Sequence, residues 1–259
     1  MILTVTLNPA LDKTYTVDAL VPNGSHRVRS VVERAGGKGV NVASVLHDVG
    51  IPCVALVLAG GENGKVITAD LEARGIAHDV VLGAGESRRT VNVVSKDTGD
   101  ATIFNEPGPS ASAAEVAGVV ARVQEHVVAG ATVVAVCGSL PHSVKSDAYA
   151  LVVLAARAAG AQTIVDADGS ALRAACAAGA EIAMPNRAEL LSSTRTKDER
   201  AGVKASRSWV LGMFWSPPDR KVCARCWTTG AYSWLVRVSG CAGTRPGPAT
   251  QRQRRSRPG

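Results

Sequence analysis

The chain has 259 residues, of which 46% are hydrophobic and 20% charged, so it can bury a large core and is not a disordered protein. No apolar run reaches the roughly 18 residues of a membrane-spanning helix, and Met1–Leu7 has the pattern of a strand, not of a signal peptide. We therefore expect a soluble, cytoplasmic protein that binds no membrane. The charge is uneven, because residues 1–194 contain 15 Lys and Arg against 19 Asp and Glu, whereas residues 195–259 contain 14 against 3.

Strand and helix patterns alternate along the first part of the chain. Strands are predicted at Met1–Leu7, Cys53–Leu58, Thr132–Cys137 and Gln162–Asp166, and helices at Val40–Val49, Asn63–Arg74, Ala113–Val128, Ser146–Ala159 and Gly169–Ala178. Strands that alternate with helices of this length indicate βαβ units. The sequence therefore predicts an α/β fold whose mostly parallel sheet is covered by helices on both faces.

Two stretches interrupt this alternation. Thr14–Val17 with Val28–Arg34, and Thr90–Ser95 with Ala101–Phe104, are short alternating runs separated by turn residues. Each pair predicts a hairpin. Together they predict a small antiparallel sheet over one edge of the main sheet.

Polar clusters follow three of the predicted strands. They are Asn8–Asp12, Gly138–Pro141 and Asp166–Asp168. Ligands of open α/β sheets bind beyond the carboxyl ends of the strands. We therefore predict a single binding site at this edge.

A glycine-rich segment, Ala35–Ala43, precedes the first predicted helix. Glycines let the backbone approach a ligand closely, and a helix N-terminus favours an anion. Lys38 adds a positive charge, and the amide of Asn41 can bond a sugar hydroxyl. A plain glycine-rich turn with a solvated lysine explains the pattern equally well, and the spacing is not that of a P-loop.

Other polar residues near the strand ends have both a functional and a structural interpretation. Asp12 can accept hydrogen bonds from two sugar hydroxyls or stabilise a turn. Arg88 and Arg89 can meet a phosphate or lie in solvent. Ser139 can offer its amide and hydroxyl to a ligand or belong to a plain turn.

Asn186 and Glu189 begin another predicted helix. Their three-residue spacing is that of a capping box, which is a structural role. Glu189 could instead hold a water molecule of Mg²⁺ near a nucleotide.

The cysteines do not predict a functional site. Cys53, Cys137 and Cys176 lie in apolar segments and are expected to be buried thiols. Cys223 and Cys226 form a C-x-x-C pair without the further ligands that zinc needs and without a thioredoxin-like context.

Seven motifs in register resemble the ribokinase (pfkB) family of carbohydrate kinases, and within it the 1-phosphofructokinase and tagatose-6-phosphate kinase group. The motifs are Thr6–Asp12, Gly36–Ala43, Ser87–Arg88, Asn105–Pro109, Gly138–Pro141, Asp166–Gly169 and Pro185–Glu189. They cover residues 1 to 204. One difference is Met184, where the family usually has Lys before Pro-Asn.

The resemblance implies a Rossmann-like ribokinase fold with a small β lid and a homodimer formed through that lid. It implies phosphorylation of a ketohexose phosphate by ATP and Mg²⁺, with fructose 1-phosphate as substrate and fructose 1,6-bisphosphate as product. The implied sugar-phosphate contacts are Asp12, Gly37, Lys38, Asn41, Arg88 and Ser139. The implied Mg·ATP contacts are Asp166, Asn186 and Glu189, with Glu189 serving the metal.

Residues 195–259 lack two motifs of this family, a Ser-x-Gly-x-x-Gly loop and a Gly-Ala-Gly-Asp whose Asp is the general base. Read one base out of frame, the degenerate codons of Trp209–Leu235 permit a strand followed by a Ser-x-Gly-x-x-Gly loop. We therefore hypothesise a frameshift near Ala205–Ser208. We expect an incomplete kinase domain over residues 1–204, a fold that lacks its C-terminal part, a disordered basic tail over 205–259, and no catalytic activity.

Other functions stay open at this point. The substrate could be tagatose 6-phosphate or fructose 6-phosphate, or the chain could bind a sugar phosphate without catalysis. The basic tail could contact nucleic acid through Arg252, Arg254, Arg255 and Arg257. No nucleic-acid-binding fold accompanies that tail, so we expect no nucleic-acid partner.

Overall fold

The structure is a computed structural model that describes residues 1–198, 201, 202 and 205, and the backbone of two strands beyond them. The strands are β1 (Ile2–Thr6), β2 (Ala10–Val17), β3 (Ser30–Gly36), β4 (Cys53–Ala59), β5 (His78–Leu82), β6 (Arg88–Ser95), β7 (Ala101–Asn105), β8 (Val133–Cys137), β9 (Gln162–Asp166), β10 (Ile182–Ala183), β11 (Gly212–Trp215) and β12 (Val222–Cys223). The helices are α1 (Lys38–Asp48), α2 (Gly61–Ala73), α3 (Ala113–Val128), α4 (Ala148–Ala158), α5 (Gly169–Ala177) and α6 (Arg187–Thr194).

The main sheet has eight strands in the order β12-β11-β10-β9-β8-β1-β4-β5. Every neighbouring pair is parallel except β11 and β12. The predicted mostly parallel sheet is therefore confirmed. Short strands β5 and β10 were not predicted, because His78–Leu82 and Ile182–Ala183 lack a long apolar run.

Alternate residues of the buried strands pack on opposite faces of this sheet, as the two-residue period of a strand requires. Leu56 and Leu58 of β4 join the cluster that includes the buried residues of α3, α4 and α5. Ala55 and Val57 of the same strand join the cluster that includes buried residues of α1 and α2. Helices therefore cover both faces, as predicted.

A second sheet of four strands, called the lid sheet here, has the order β3-β2-β6-β7. The two predicted hairpins are present, since β2 pairs with β3 and β6 with β7 in antiparallel fashion. We expected an antiparallel sheet, and this expectation is wrong for one pair of strands. The central strands β2 and β6 are parallel. Between the two hairpins the chain passes through α1, β4, α2 and β5. It then enters β6 in the same direction as β2.

The prediction that the three cysteines are buried thiols is confirmed for two of them. Cys137 and Cys176 are buried, whereas Cys53 is half-buried. Burial raises the pKa of the Cys137 thiol and that of the Cys176 thiol to about 12, which keeps both thiols protonated and unreactive.

Most of the basic tail lies outside the described residues. The residues outside the described part include Cys226 and the arginines at 252, 254, 255 and 257. The predictions made for them stay predictions. Within 205–259 the backbone of β11 and β12 extends the main sheet by two strands. Across the part of the chain that the structure describes, no helix has the length and apolar character needed to cross a membrane.

Candidate active site at the carboxyl edge of the sheet

The loops that follow β1, β8 and β9 meet at one edge of the main sheet. The amide of Gly138 donates to the carbonyl of Asp166 at 2.8 Å. The Asn8 side-chain nitrogen donates to the Ser139 hydroxyl at 3.2 Å. The three polar clusters predicted from the strand ends therefore form one site.

Glycines where β3 ends and α1 begins let side chains press against the backbone. A Cβ on Gly36 would lie 2.1 Å from Oδ2 of Asp12, and a Cβ on Gly39 would lie 2.3 Å from Oγ1 of Thr6. Gly37, at the N-cap of α1, has a φ of 107°, a conformation that favours glycine. The loop is closely packed, and Lys38 pairs with two carboxylates instead of being surrounded only by solvent. The ligand role of this segment stays a prediction.

Asp12 lies within lid strand β2, not in a turn. Burial raises the pKa of its carboxyl, while a hydrogen bond from Thr90 and the charge of Arg88 oppose that rise. Asp12 is thus a half-buried carboxylate held beside one cation. Such a group gains from any hydrogen-bond donor that a ligand would bring.

The two neighbouring arginines at the start of β6 have different surroundings. Arg88 donates from Nε to the Asn8 carbonyl at 3.2 Å and from Nη1 to the Thr90 hydroxyl at 3.3 Å. Burial lowers the pKa of Arg88, and Asp12 and Glu106 oppose that effect. Arg89 instead pairs with Glu106 at 3.1 Å on the exposed side. Of these two arginines, only Arg88 interacts with Asp12.

Lys38, the first residue of α1, contacts two carboxylates. Its Nζ lies 3.0 Å from Oδ1 of Asp166 and 3.2 Å from Oε1 of Glu189. The resemblance placed Lys38 with the sugar phosphate and the two acids with Mg·ATP. In the structure the three charges form one cluster that joins the two halves of the predicted site.

Asn186 and Glu189 form the capping box that their spacing predicted. The Glu189 amide donates to Oδ1 of Asn186 at 2.9 Å, and the Asn186 amide donates to Oε2 of Glu189 at 2.8 Å. The cap fixes one oxygen of Glu189 and leaves the other, Oε1, to Lys38. The structural interpretation of this pair is therefore correct, and it orients a carboxylate toward the site as well.

A cleft of about 370 Å³ lies between the lid sheet and α1. Of the predicted sugar contacts, Asp12 and Asn41 line it. Arg34 and Arg74 also line it, although sequence reasoning did not select them. Arginine binds phosphate well through its guanidinium group. Arg34 is exposed, whereas Arg74 is half-buried and pairs with Asp70 at 3.4 Å.

Two buried residues organise the loops and were missed as functional residues. The Asn8 side chain is buried and also donates to the Pro107 carbonyl at 3.1 Å. The Tyr149 hydroxyl, fully buried in α4, lies within 3.3 Å of the carbonyls of Cys137, Gly138 and Ser139. A tyrosine in an alanine-rich helix was the available signal, because a buried hydroxyl needs a partner.

The sequence match to a known family decides the assignment of the chain. Residues 5–210 match the family model described as pfkB family carbohydrate kinase. The chain belongs to the pfkB family of carbohydrate kinases. The resemblance drawn from the seven motifs is therefore confirmed.

Two curated relatives of this pfkB chain are named 1-phosphofructokinase. The protein of Xanthomonas campestris pv. campestris is 40% identical over 183 residues, which are 71% of this chain and 57% of the relative. The protein of Rhodobacter capsulatus is 38% identical over 189 residues, which are 73% of this chain and 60% of the relative. The chain thus spans less than two thirds of the length of these relatives.

A solved structure, phosphofructokinase-2 from Escherichia coli in complex with fructose-6-phosphate, has the same fold. It is 28% identical, with a TM-score of 0.75 over 86% of this chain and 78% of that one. The ribokinase-like α/β fold of this pfkB chain is therefore confirmed.

The residues present fit a divalent metal that arrives with a nucleotide. Among the described residues no group of three or more His, Cys, Asp and Glu could hold a metal alone. Mg²⁺ is usually bound by one or two carboxylates together with substrate phosphates. Asp166 and Glu189 supply such a pair of carboxylates, and they already hold the ammonium of Lys38.

Proposed function

We propose that this site binds a phosphorylated ketohexose, with fructose 1-phosphate as the first candidate, beside a Mg·ATP half-site. The observation that supports this most is the cleft at Asp12 and Asn41, which is joined through α1 to the carboxylates of Asp166 and Glu189. The names of the two curated relatives favour fructose 1-phosphate over fructose 6-phosphate and tagatose 6-phosphate.

The residues divide into two groups by what they offer. For the sugar phosphate, Asp12 and Asn41 offer hydrogen bonds to hydroxyls, Arg88 and Lys38 offer positive charge, and Gly37 and Ser139 offer backbone amides. For Mg·ATP, Asp166 and Glu189 offer carboxylate oxygens, with Glu189 toward the metal, and Asn186 orients Glu189. Mg²⁺ would neutralise the phosphate charge that develops during transfer.

Phosphoryl transfer needs a base as well as a binding site. A sugar hydroxyl oxygen bonds to the γ-phosphorus, the bond from that phosphorus to ADP breaks, and the hydroxyl proton passes to the base. In the family that base is the Asp of Gly-Ala-Gly-Asp, and the 259 residues contain no such motif. We therefore propose that this chain binds its ligands without turning them over.

Calorimetry on the full chain tests the binding part of the proposal. We expect fructose 1-phosphate to bind more tightly than fructose 6-phosphate or tagatose 6-phosphate. Asp12→Ala should weaken that binding by about 100-fold, and Asp48→Asn, at the exposed end of α1, should not change it. A chain that binds none of the three sugar phosphates would contradict the proposal.

A separate assay tests the absence of turnover. ADP release should stay at the background rate with fructose 1-phosphate and Mg·ATP at saturation. Release at an ordinary kinase rate would contradict the proposed inactivity. Sequencing the DNA across codons 205–259 tests the frameshift, which an intact single frame relative to sister genes would refute.

We also propose that two copies of the chain associate through the lid sheet. Val31, Val32, Ile103 and Phe104 of β3 and β7 are about half exposed, with exposed fractions between 47% and 58%. By strand register Val31 and Phe104 lie on the face of the lid sheet opposite to the cleft, and Val32 lines the cleft. Exposed apolar side chains on the face away from the cleft are typical of an interface. Phe104→Glu should give a monomer by sedimentation velocity if the wild-type chain is a dimer, and an unchanged dimer would contradict the proposal.

A further inference from the structure

The cluster formed by Lys38, Asp166 and Glu189 joins three separate elements. Lys38 begins α1, Asp166 ends β9, and Glu189 lies in the first turn of α6. The side chains are 45%, 28% and 15% exposed, respectively. The cluster is therefore reachable from solvent at the lysine and shielded at the glutamate.

The lysine is charged in this setting. Burial lowers the pKa of Lys38, but the contacts with Asp166 and Glu189 outweigh burial and raise it above its ordinary value. Two carboxylates that share a small volume repel each other unless a cation lies between them. The Lys38 ammonium supplies that cation when no metal is bound.

The location of Lys38 also gives it access to the sugar side. It follows Gly37 directly and precedes Asn41 by one helical turn, and Asn41 lines the cleft. A Cβ on Gly138 would lie 3.7 Å from Cβ of Lys38, so the lysine stem passes next to the loop that carries Ser139. A lysine has a long, flexible stem and can exchange one anionic partner for another.

We propose that Lys38 is a resident counter-ion that occupies the place of the divalent cation between Asp166 and Glu189, and that it moves to the sugar phosphate when metal and nucleotide bind. This inference rests on the proposed function. It makes Lys38 a positioning residue that couples the two half-sites. Because such coupling is reciprocal, the sugar phosphate must raise the affinity for metal and nucleotide by the same factor.

Titration with Mn²⁺ alone tests the first half of the inference, that Lys38 occupies the place of the divalent cation. Binding is measured as the decrease in the electron paramagnetic resonance signal of free Mn²⁺. Lys38→Met should bind Mn²⁺ about tenfold more tightly than wild type, because no ammonium competes for the carboxylates; tenfold corresponds to about 1.4 kcal/mol. Lys38→Arg keeps the charge and should match wild type. Lys65→Met removes a lysine paired with Glu62 on the exposed face of α2 and is the control.

The outcomes are distinct. Lys38→Met with Mn²⁺ affinity equal to or below that of wild type overturns the inference. If Lys38→Met does not give the wild-type circular dichroism spectrum, Lys38→Gln replaces it, with the same expected gain. Equal gains in Lys38→Met and Lys65→Met would reflect general charge and would also overturn it.

Calorimetry with fructose 1-phosphate tests the second half. In wild type, Mn²⁺ with a non-hydrolysable ATP analogue should raise the affinity for fructose 1-phosphate about fivefold, within the usual range of coupling between sites. In Lys38→Met the affinity should be low and the same with or without the analogue. If the analogue still raises the affinity of Lys38→Met for fructose 1-phosphate, the inference is overturned. If no variant binds a sugar phosphate, the proposed function is overturned, and the Mn²⁺ result is not affected.

Discussion

The two halves of the candidate site, the proposed sugar side and the proposed nucleotide side, are built in different ways. On the sugar side, the Asp12 carboxylate lies against the backbone of Gly36, at a distance that leaves no room for a Cβ. On the nucleotide side, Asp166 and Glu189 are held by an ion cluster with Lys38 that solvent can reach. The first contact depends on backbone position and the second on side-chain charge.

The difference predicts how each side responds to change. Backbone packed against a side chain cannot adjust without moving a strand, so a small steric change there has a large effect. Partly exposed ion contacts are weak and can rearrange, so single changes there have smaller effects.

The largest effect is expected for Gly36→Ala. The new methyl group would displace the Asp12 carboxylate, and the loss of the two hydrogen bonds that we propose it accepts from the sugar should weaken fructose 1-phosphate binding by about 100-fold or more. Calorimetry measures the affinity. The control is Gly118→Ala in α3, where the nearest atom to the new Cβ lies 3.4 Å away, and full binding by Gly36→Ala would show that the close contact is not needed.

Asp12→Asn should separate binding from stability. Loss of the carboxylate should weaken fructose 1-phosphate binding by about 10- to 100-fold. The fold should be as stable as wild type or more so at pH 7, because burial makes the ionised Asp12 unfavourable in the folded chain. Thermal melting measures the stability.

The pH dependence of that comparison has a definite sign. The pKa of Asp12 is raised above its ordinary value of 3.8 in the folded chain, so the folded state takes up a proton at higher pH than the unfolded state does. Wild type should therefore gain stability relative to Asp12→Asn as the pH falls from 7 through the raised pKa toward 3.8. A difference in melting temperature that does not depend on pH would contradict this interpretation.

Most of the fold was predictable because apolar periodicity is a local signal. Ala113–Val128 was predicted with the bounds that the structure gives α3, and its buried valines recur at three- and four-residue spacings. The parallel pairing of β2 with β6 was not predictable in this way. It depends on the route of the chain between the two hairpins, and alternation within a strand carries no information about the direction of its neighbour.

The sequence offered candidate residues for the site, but it could not predict the contacts between them. Asp12, Lys38 and Glu189 were selected because their motifs resemble a family, yet nothing in the sequence places Lys38 Nζ between two carboxylates. Asn8 and Tyr149 were missed for a related reason. Their importance lies in hydrogen bonds to loop carbonyls that are distant in sequence, such as those from Asn8 to Pro107 and Leu140.

Tyr149→Phe should have an intermediate effect. The change removes a buried hydroxyl that serves the carbonyls of the Gly138–Ser139 loop, and it should lower the free energy of unfolding by about 1–2 kcal/mol. Urea denaturation measures that free energy. Tyr15→Phe, on the half-exposed lid strand β2, is the matched control and should change it by less. Equal losses in the two variants would show that the loop does not depend on the Tyr149 hydroxyl.

The smallest effect is expected for Asn186→Ala, which removes the side-chain cap of α6. Ser112→Ala removes the same kind of capping box from α3. Each change should lower the free energy of unfolding by about 1 kcal/mol, since each exposes an amide at a helix N-terminus.

Only one of these two caps also orients a charged group of the site. Asn186→Ala should therefore weaken the binding of a Mn²⁺–ATP analogue by a few fold at most, because the Glu189 N–H loses its acceptor and the turn loosens, while the Asn186 backbone amide still donates to Oε2 of Glu189. Ser112→Ala should leave that binding unchanged. If both variants bound the analogue as wild type does, the capping box of α6 would have a structural role only. The ion cluster of Lys38, Asp166 and Glu189 would then tolerate a change in its surroundings better than the close contact between Asp12 and Gly36 does.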